Sequence, residues 1–105
     1  MEMEQIVMQI IIHAGDAKTY AYEALNKASV ADYELADSLI EKANEAISKA
    51  HAVQTQLLQK EAEGENIKIS LLFIHAQDHL MTAISEKNLI VEIIKLRKEL
   101  KSIIK

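Results

Sequence analysis

Leu71-Leu-Phe-Ile-His-Ala-Gln-Asp-His-Leu-Met-Thr82 sets the period of the last third of the chain. Apolar residues recur at three- and four-residue steps, the period of a helix face. Ile69, Phe73, Ala76, Leu80, Ala83, Ile90 and Ile94 form one seam. Ile67, Leu71, Ile74 and Met81 form a second, broken by Asp78, and Leu89, Ile93, Leu96, Leu100 and Ile103 form a third. The segment therefore reads as one helix from about Ile67 to Ile103. Three polar side chains stand in its apolar opening. On a helix, His79 lies about 40° from His75, and Asp78 about 60° to the other side. Such groups are tolerated in a packed helix when they are paired, bind something or react.

Two more helices precede this one. Ile6, Ile10, Ala14, Ala17, Ala21, Ala24 and Ala28 keep helical spacing, which predicts a first helix over about Glu2 to Lys27. Gly15 falls inside it, at a cost of about 1 kcal/mol against alanine, and points to close helix approach or a slight kink. The pattern resets at Ser29-Val-Ala-Asp32. Asp32 before Tyr33-Glu-Leu35 is an N-cap signal. The second helix runs to about Lys60 on a stripe of Leu35, Leu39, Ala43, Ala46, Ala50, Val53 and Leu57. Glu61-Ala-Glu-Gly-Glu-Asn66 reads as the one clear loop, with Gly64 as stop signal.

The composition agrees. The 105 residues contain no proline, no cysteine and only two glycines, too little turn chemistry for many short strands. The expected fold is all-α: a single domain over residues 1–105, an up-down-up bundle of three antiparallel helices. Half of the residues are hydrophobic. A core this small leaves a surplus of apolar surface, so the third helix is expected to meet other copies of the chain.

Several function classes drop out. Without cysteine there is neither a disulfide, a thiolate metal site nor a cysteine nucleophile. The acidic start is unlike a secretory leader, and no apolar run approaches the roughly 18 residues of a membrane span. A soluble, cytoplasmic protein is expected. Residues 1–66 hold twelve acids and five bases, whereas residues 67–105 hold four and seven. Lys95, Arg97, Lys98, Lys101 and Lys105 crowd the C-terminal end. They complement a helix dipole better than they make a nucleic-acid surface, since aromatics are missing there.

The cluster supports several chemistries. His75 and His79 have the i, i+4 spacing of metal ligands, but Ala76 stands where a zinc protease needs glutamate. A structural zinc site would need a further ligand from elsewhere. A neutral imidazole, with an ordinary pKa near 6.5, also attacks phosphorus. No nucleotide-binding motif is present, so any phosphoryl group must come from another protein. Asp78 either points to water from the edge of its seam or meets its own copies in an oligomer, where the carboxylates would hold a cation or share protons. His13 and His51, on the first and second helices, read as packed or surface histidines without chemistry. A non-catalytic helical oligomerisation module and a zinc-binding bundle stay open beside phosphoryl transfer.

His75-Ala-Gln-Asp-His-Leu-Met81, preceded by Ser70-Leu-Leu-Phe-Ile74, resembles the active-site helix of the lactose/cellobiose-type enzyme IIA of the bacterial phosphotransferase system. Ile10-Ile-Ile-His-Ala-Gly-Asp-Ala-Lys18 and Lys49-Ala-His-Ala-Val-Gln-Thr-Gln-Leu57 are similar to its first and second helices. The resemblance covers nearly the whole chain, with the motif intact; a mobile leader found in some relatives would be missing here. It implies a homotrimer in which His75 accepts a phosphoryl group from the phosphocarrier HPr. The group would pass to the IIB component, which phosphorylates sugar entering through the membrane component IIC. It implies further that Asp78 of each subunit lies near the trimer axis with one Mg2+ per trimer. No organic cofactor is implied, and Gln77 and His79 would support His75. Because His75 is read as lying mid-helix, the free N–H groups of its own helix would be out of its reach, leaving His79 as the nearest donor. Cellobiose- or chitobiose-like sugars are expected ahead of lactose.

Overall fold

The computed structural model describes residues 2–66 and 70–104. Helix α1 spans Glu2–Ser29, α2 Tyr33–Ala62 and α3 Leu71–Ile104. They form an elongated bundle of about 60 × 20 × 20 Å. Among the described residues there is no strand. Ile67 and Ile69, placed in the seams of the third helix by their spacing, lie outside the described residues, as does Lys105.

Helix α1 is the hub. It packs along both α2 and α3, whereas α2 and α3 touch only sparingly. Its sequence suits that place. Ala14, Ala17, Ala21, Ala24 and Ala28 are all buried, and their small side chains let two neighbours approach closely. Larger residues fill the ends of this stripe. Val7 and Ile10 of α1 pack with Ile47, Val53 and Leu57 of α2 and Leu80 of α3 at one end. Leu39 of α2 and Ile90 and Ile94 of α3 meet the alanines of α1 at the other. No described polar or charged residue is buried.

The connections follow capping chemistry. After α1 the Asp32 N–H donates to the Lys27 carbonyl at 2.9 Å and the Ala31 N–H to the Ala28 carbonyl at 3.0 Å. This is a Schellman cap. Its left-handed position is occupied by Ala31, at φ 65°. The α2 terminus repeats the arrangement, from Glu65 to Lys60 and from Gly64 to Glu61, with Gly64 at φ 98°. The glycine stop signal was therefore read correctly, while the alanine at the equivalent place gives no sequence signal. Asp32 serves twice, since its carboxylate also accepts from the Leu35 N–H at 3.4 Å as the N-cap of α2. Helix α2 continues two residues beyond the expected Lys60.

Helix α3 starts later than its periodicity suggests. Ser70 caps it: its hydroxyl oxygen accepts from the Phe73 N–H at 3.1 Å and its carbonyl from the Ile74 N–H at 3.0 Å. His75 accordingly sits in the second turn of α3, not in mid-helix. Helical side chains lean towards the N-terminus, so this imidazole leans over the positive end of the macrodipole.

The sequence split the surplus apolar residues of α3 into two seams. In the structure they form one exposed face. Leu71, Ile74, Met81, Leu89, Ile93, Leu96, Leu100 and Ile103 are all exposed, Leu71 at 83%. Their helical angles fall within a sector of about 120°, with Asp78 near its centre.

Ala31 in a left-handed conformation costs about 1 kcal/mol relative to glycine. Ala31→Gly is expected to raise unfolding stability by about that amount, read as a higher denaturant midpoint at unchanged slope. An unchanged or lower midpoint would mean that the turn carries no such strain.

Candidate functional site: a histidine pair beside helix α1

The buried face of α3 points at α1 and α2, and the exposed apolar face points away. His75, His79 and Glu86 lie on the boundary between them on the α1 side. Their angles fall within about 40° of one another. His75 is exposed and His79 half-buried. Their rings are nearly parallel, 8° apart in plane and 5.9 Å between centroids.

Helices α1 and α3 run in the same direction with a constant offset. Gly15 faces His79 and Tyr22 faces Glu86, each pair 64 residues apart. A Cβ on Gly15 would lie 3.7 Å from His79 Nε2. The glycine thus marks a close approach, as its mid-helix position suggested. The helix continues through it unbroken. One turn on, Lys18 Nζ is 3.9 Å from Glu86 Oε2, and the Tyr22 hydroxyl donates to Glu86 Oε1 at 2.9 Å. The Glu86 carboxylate pushes Tyr22 above the usual phenol range.

His79 is held below the ordinary imidazole range. Partial burial is the largest cause, followed by the positive charge of Lys18 and by His75. Asp78 and Glu86 oppose the shift without reversing it. A neutral His79 keeps one ring N–H to donate and one nitrogen to accept.

Gln77 lies on the opposite boundary of α3, about 200° from His75. Its Oε1 accepts from Gln54 Nε2 of α2 at 2.9 Å, and Gln54 Oε1 lies 3.3 Å from His51 Nδ1. Within one chain, Gln77 is turned away from His75. His51 is exposed and ends this short polar chain. His13 lines a separate groove between α1 and α2 with Asp16, Tyr20, Lys42, Glu45 and Lys49. Asp78 is exposed among Ile74 and Met81, themselves 56% and 58% exposed. Among the described residues no three His, Asp or Glu side chains converge to hold a metal within one chain. The zinc-bundle reading finds no ligand set there.

The sequence of the family described as the lactose/cellobiose-specific IIA subunit of the phosphotransferase system matches residues 5–98. The chain belongs to this family. The lichenan-specific phosphotransferase enzyme IIA component of Bacillus subtilis (strain 168) is 48% identical over 95 residues, covering 90% of this chain and 86% of the relative. The crystal structure of the cellobiose-specific enzyme IIA from Bacillus anthracis superposes with a TM-score of 0.95 at 48% identity, covering 98% of this chain and 94% of the other. The IIA subunit in the solution structure of the IIA(chitobiose)–HPr complex from the Escherichia coli phosphotransferase system gives 0.81 at 39% identity, with 96% and 98% covered. These three similar IIA proteins carry three different sugar names. The IIA fold therefore does not itself report the sugar.

Lys18, Tyr22, Glu86 and Gln54 were not singled out by the sequence. Tyr22 and Glu86 had a weak signal in the matching seven-residue steps from Gly15 to Tyr22 and from His79 to Glu86. Without the helix offset that signal is unreadable.

The gap at Gly15 holds a methyl group in ordinary contact but nothing larger. Gly15→Ala is expected to stabilise the fold by about 0.5–1 kcal/mol through helix propensity, with His79 unmoved. Gly15→Leu is expected to displace the His79 ring. Denaturant melts and histidine ring NMR shifts check both, and an unmoved ring in Gly15→Leu would refute the close approach.

Proposed function

We propose that His75 is the phosphorylated residue of this IIA component, receiving its phosphoryl group from phospho-HPr and yielding it to the IIB component. The observation that carries the assignment is the geometry of the pair: His75 is the exposed histidine, stacked on a neighbour that is half-buried and biased towards neutrality. The lone pair of a neutral His75 ring nitrogen attacks phosphorus in line. A new P–N bond forms as the P–N bond to HPr breaks, and that electron pair stays on the HPr imidazole. The second nitrogen of His75 gives up a proton to solvent, and the HPr ring takes one up. Oxidation states do not change. Such a step needs positioning and charge stabilisation more than covalent help. The N-terminal end of α3 and an N–H of His79 supply both. The protein works in the cytoplasm, where HPr and IIB are met, with the membrane component IIC next in the chain of transfer. The sugar is a β-linked disaccharide, cellobiose- or chitobiose-like or lactose.

The assembly we infer is a homotrimer built on α3. An exposed apolar sector of about 120° is wide enough for one helix to face two other copies at once, as a closed three-fold assembly requires. His75 then lies at one edge of the interface and Gln77 at the other. In a parallel trimer the edges alternate, so Gln77 supports the His75 of a neighbouring subunit. Gln54 holds its carbonyl oxygen and leaves the amide N–H groups free to donate.

Asp78, near the centre of the sector, meets its copies on the axis. Three carboxylates offer only oxygen donors, the chemistry that suits Mg2+ completed by water. Such an ion neutralises the axial charge.

His75→Gln is expected to abolish acid-labile phosphate uptake from enzyme I, HPr and labelled phosphoenolpyruvate at unchanged helicity. Retained uptake would move the assignment to another residue, while an unlabelled wild-type protein would favour a purely structural helical module. Asp78→Leu is expected to raise trimer stability in metal-free buffer by on the order of 1 kcal/mol per chain or more. The same change should remove any stabilisation of the trimer by Mg2+. Dissociation of this variant, followed by sedimentation, would contradict the axial placement.

A further inference from the structure

One imidazole and two amides run in line from the flank of α2 to the edge of α3. Gln54 Nε2 donates to Gln77 Oε1 at 2.9 Å, and Gln54 Oε1 lies 3.3 Å from His51 Nδ1. Both glutamines are half-buried, whereas His51 is exposed. The core beside them, from Val53 and Leu57 of α2 to Leu80 of α3, is apolar. An apolar pair would join the two helices here as well as two amides do. The other described side-chain bridge between α2 and α3, Lys98 to Asp37, belongs to the opposite end of the bundle.

The atoms give this chain a direction. A carbonyl oxygen only accepts, so the hydrogen shared by His51 and Gln54 sits on His51 Nδ1. Gln54 in turn donates to Gln77. With its oxygen engaged, Gln77 is left with N–H bonds to offer. Each bond in such a chain polarises the next. Turning Gln54 over would reverse the order: Gln54 would accept from Gln77, and Gln77 would present its oxygen instead.

We propose that Gln54, with His51 behind it, is a positioning residue: it decides which end of the Gln77 amide faces the phosphoryl group on His75 of a neighbouring subunit. The proposal rests on the homotrimer and on the phosphorylation of His75 inferred above. An outward N–H donates to a phosphoryl oxygen, while an outward carbonyl oxygen repels it. Gln77 lies about 200° around α3 from the His75 of its own chain, so its help is given across a subunit boundary. Gln54 and His51 act only through Gln77.

The test follows the rate of phosphoryl transfer from phospho-HPr to the full-length protein in single turnovers, at rising HPr concentration. Gln54→Glu offers only acceptors, so Gln77 must turn its N–H groups inward and its oxygen outward. The saturating rate is expected to fall roughly ten- to hundredfold, the scale of a lost hydrogen bond to a charged group. Gln54→Met frees the Gln77 amide without reversing it and should cost less. In both, the half-saturating HPr concentration should stay close to that of wild type. In a Gln77→Met background, Gln54→Glu should have no further effect, which separates orientation from the added negative charge. Co-expression of Gln54→Glu subunits with His75→Gln subunits supplies an intact Gln77 beside an intact His75, and should restore part of the saturating rate. A purely structural bridge would lower thermal stability and give no such restoration. An unchanged rate in Gln54→Glu, a full effect in the Gln77→Met background, or no restoration in mixed trimers would overturn the proposal while leaving His75 as acceptor. A wild-type protein that takes up no label, or that sediments as a monomer, would overturn the reading beneath it as well. If Gln54→Glu fails to assemble, Gln54→Met decides the same comparison, slower alone and restored in mixed trimers.

Discussion

The structure depends on the alanine stripe of α1. Five buried alanines bring α2 and α3 against one central helix, and no bulky side chain intervenes. Close packing also fixes the axial offset between helices, because interlocking side chains resist sliding. That offset sets Gly15 against His79 and Tyr22 against Glu86. A slide of one helical turn would bring Lys18 or Ile11 to the level of His79 and break the contacts of Glu86. The arrangement of the boundary is therefore a consequence of how α1 packs, even though the imidazole we propose as acceptor belongs to α3.

The same packing explains why α3 is apolar on two sides. Helix α1 and part of α2 cover the sector containing Ala76, Leu80, Ala83, Ile90 and Ile94. The opposite sector, from Leu71 to Ile103, is left exposed by the described residues. An exposed apolar face this long is the kind of surface that marks an interaction site. Asp78 interrupts that face near its centre, where a hydrophobe would pack better. A carboxylate kept there costs stability in an assembly unless it is neutralised by a proton, a cation or hydration.

Much of this was legible from residues alone. Helical period gave three helices because their apolar stripes are long, and Asp32 and Gly64 marked two ends because their capping chemistry is local. The start of α3 was read too early, since Ile67 and Ile69 keep the apolar period and the Ser70 cap gives only a weak signal. That error misplaced His75 relative to the helix end. Asp78 was legible as an anomaly because a carboxylate broke an apolar series. Lys18, Tyr22 and Glu86 were hidden, because charged and phenolic residues on helix flanks are ordinary until a second helix is set beside them. Gln54 and Gln77 were hidden for the same reason: their bond joins two helices whose relative rotation no local pattern encodes.

A histidine that only carries a group has different needs from one that completes a reaction. Deep burial among cations would stabilise the phosphorylated form and hinder its release. Full exposure would leave the ring without a fixed orientation. The boundary of α3 lies between these limits. His75 is exposed, while its neighbour His79 is half-buried and lies against Gly15 of α1. Lys18, on the α1 side of this boundary, is paired with Glu86 at 3.9 Å instead of standing free. The helix end adds a modest, fixed positive potential with no side chain to rearrange. Moderate interactions of this kind suit transfer in both directions, because they favour the in-line geometry without making either bound state much the more stable.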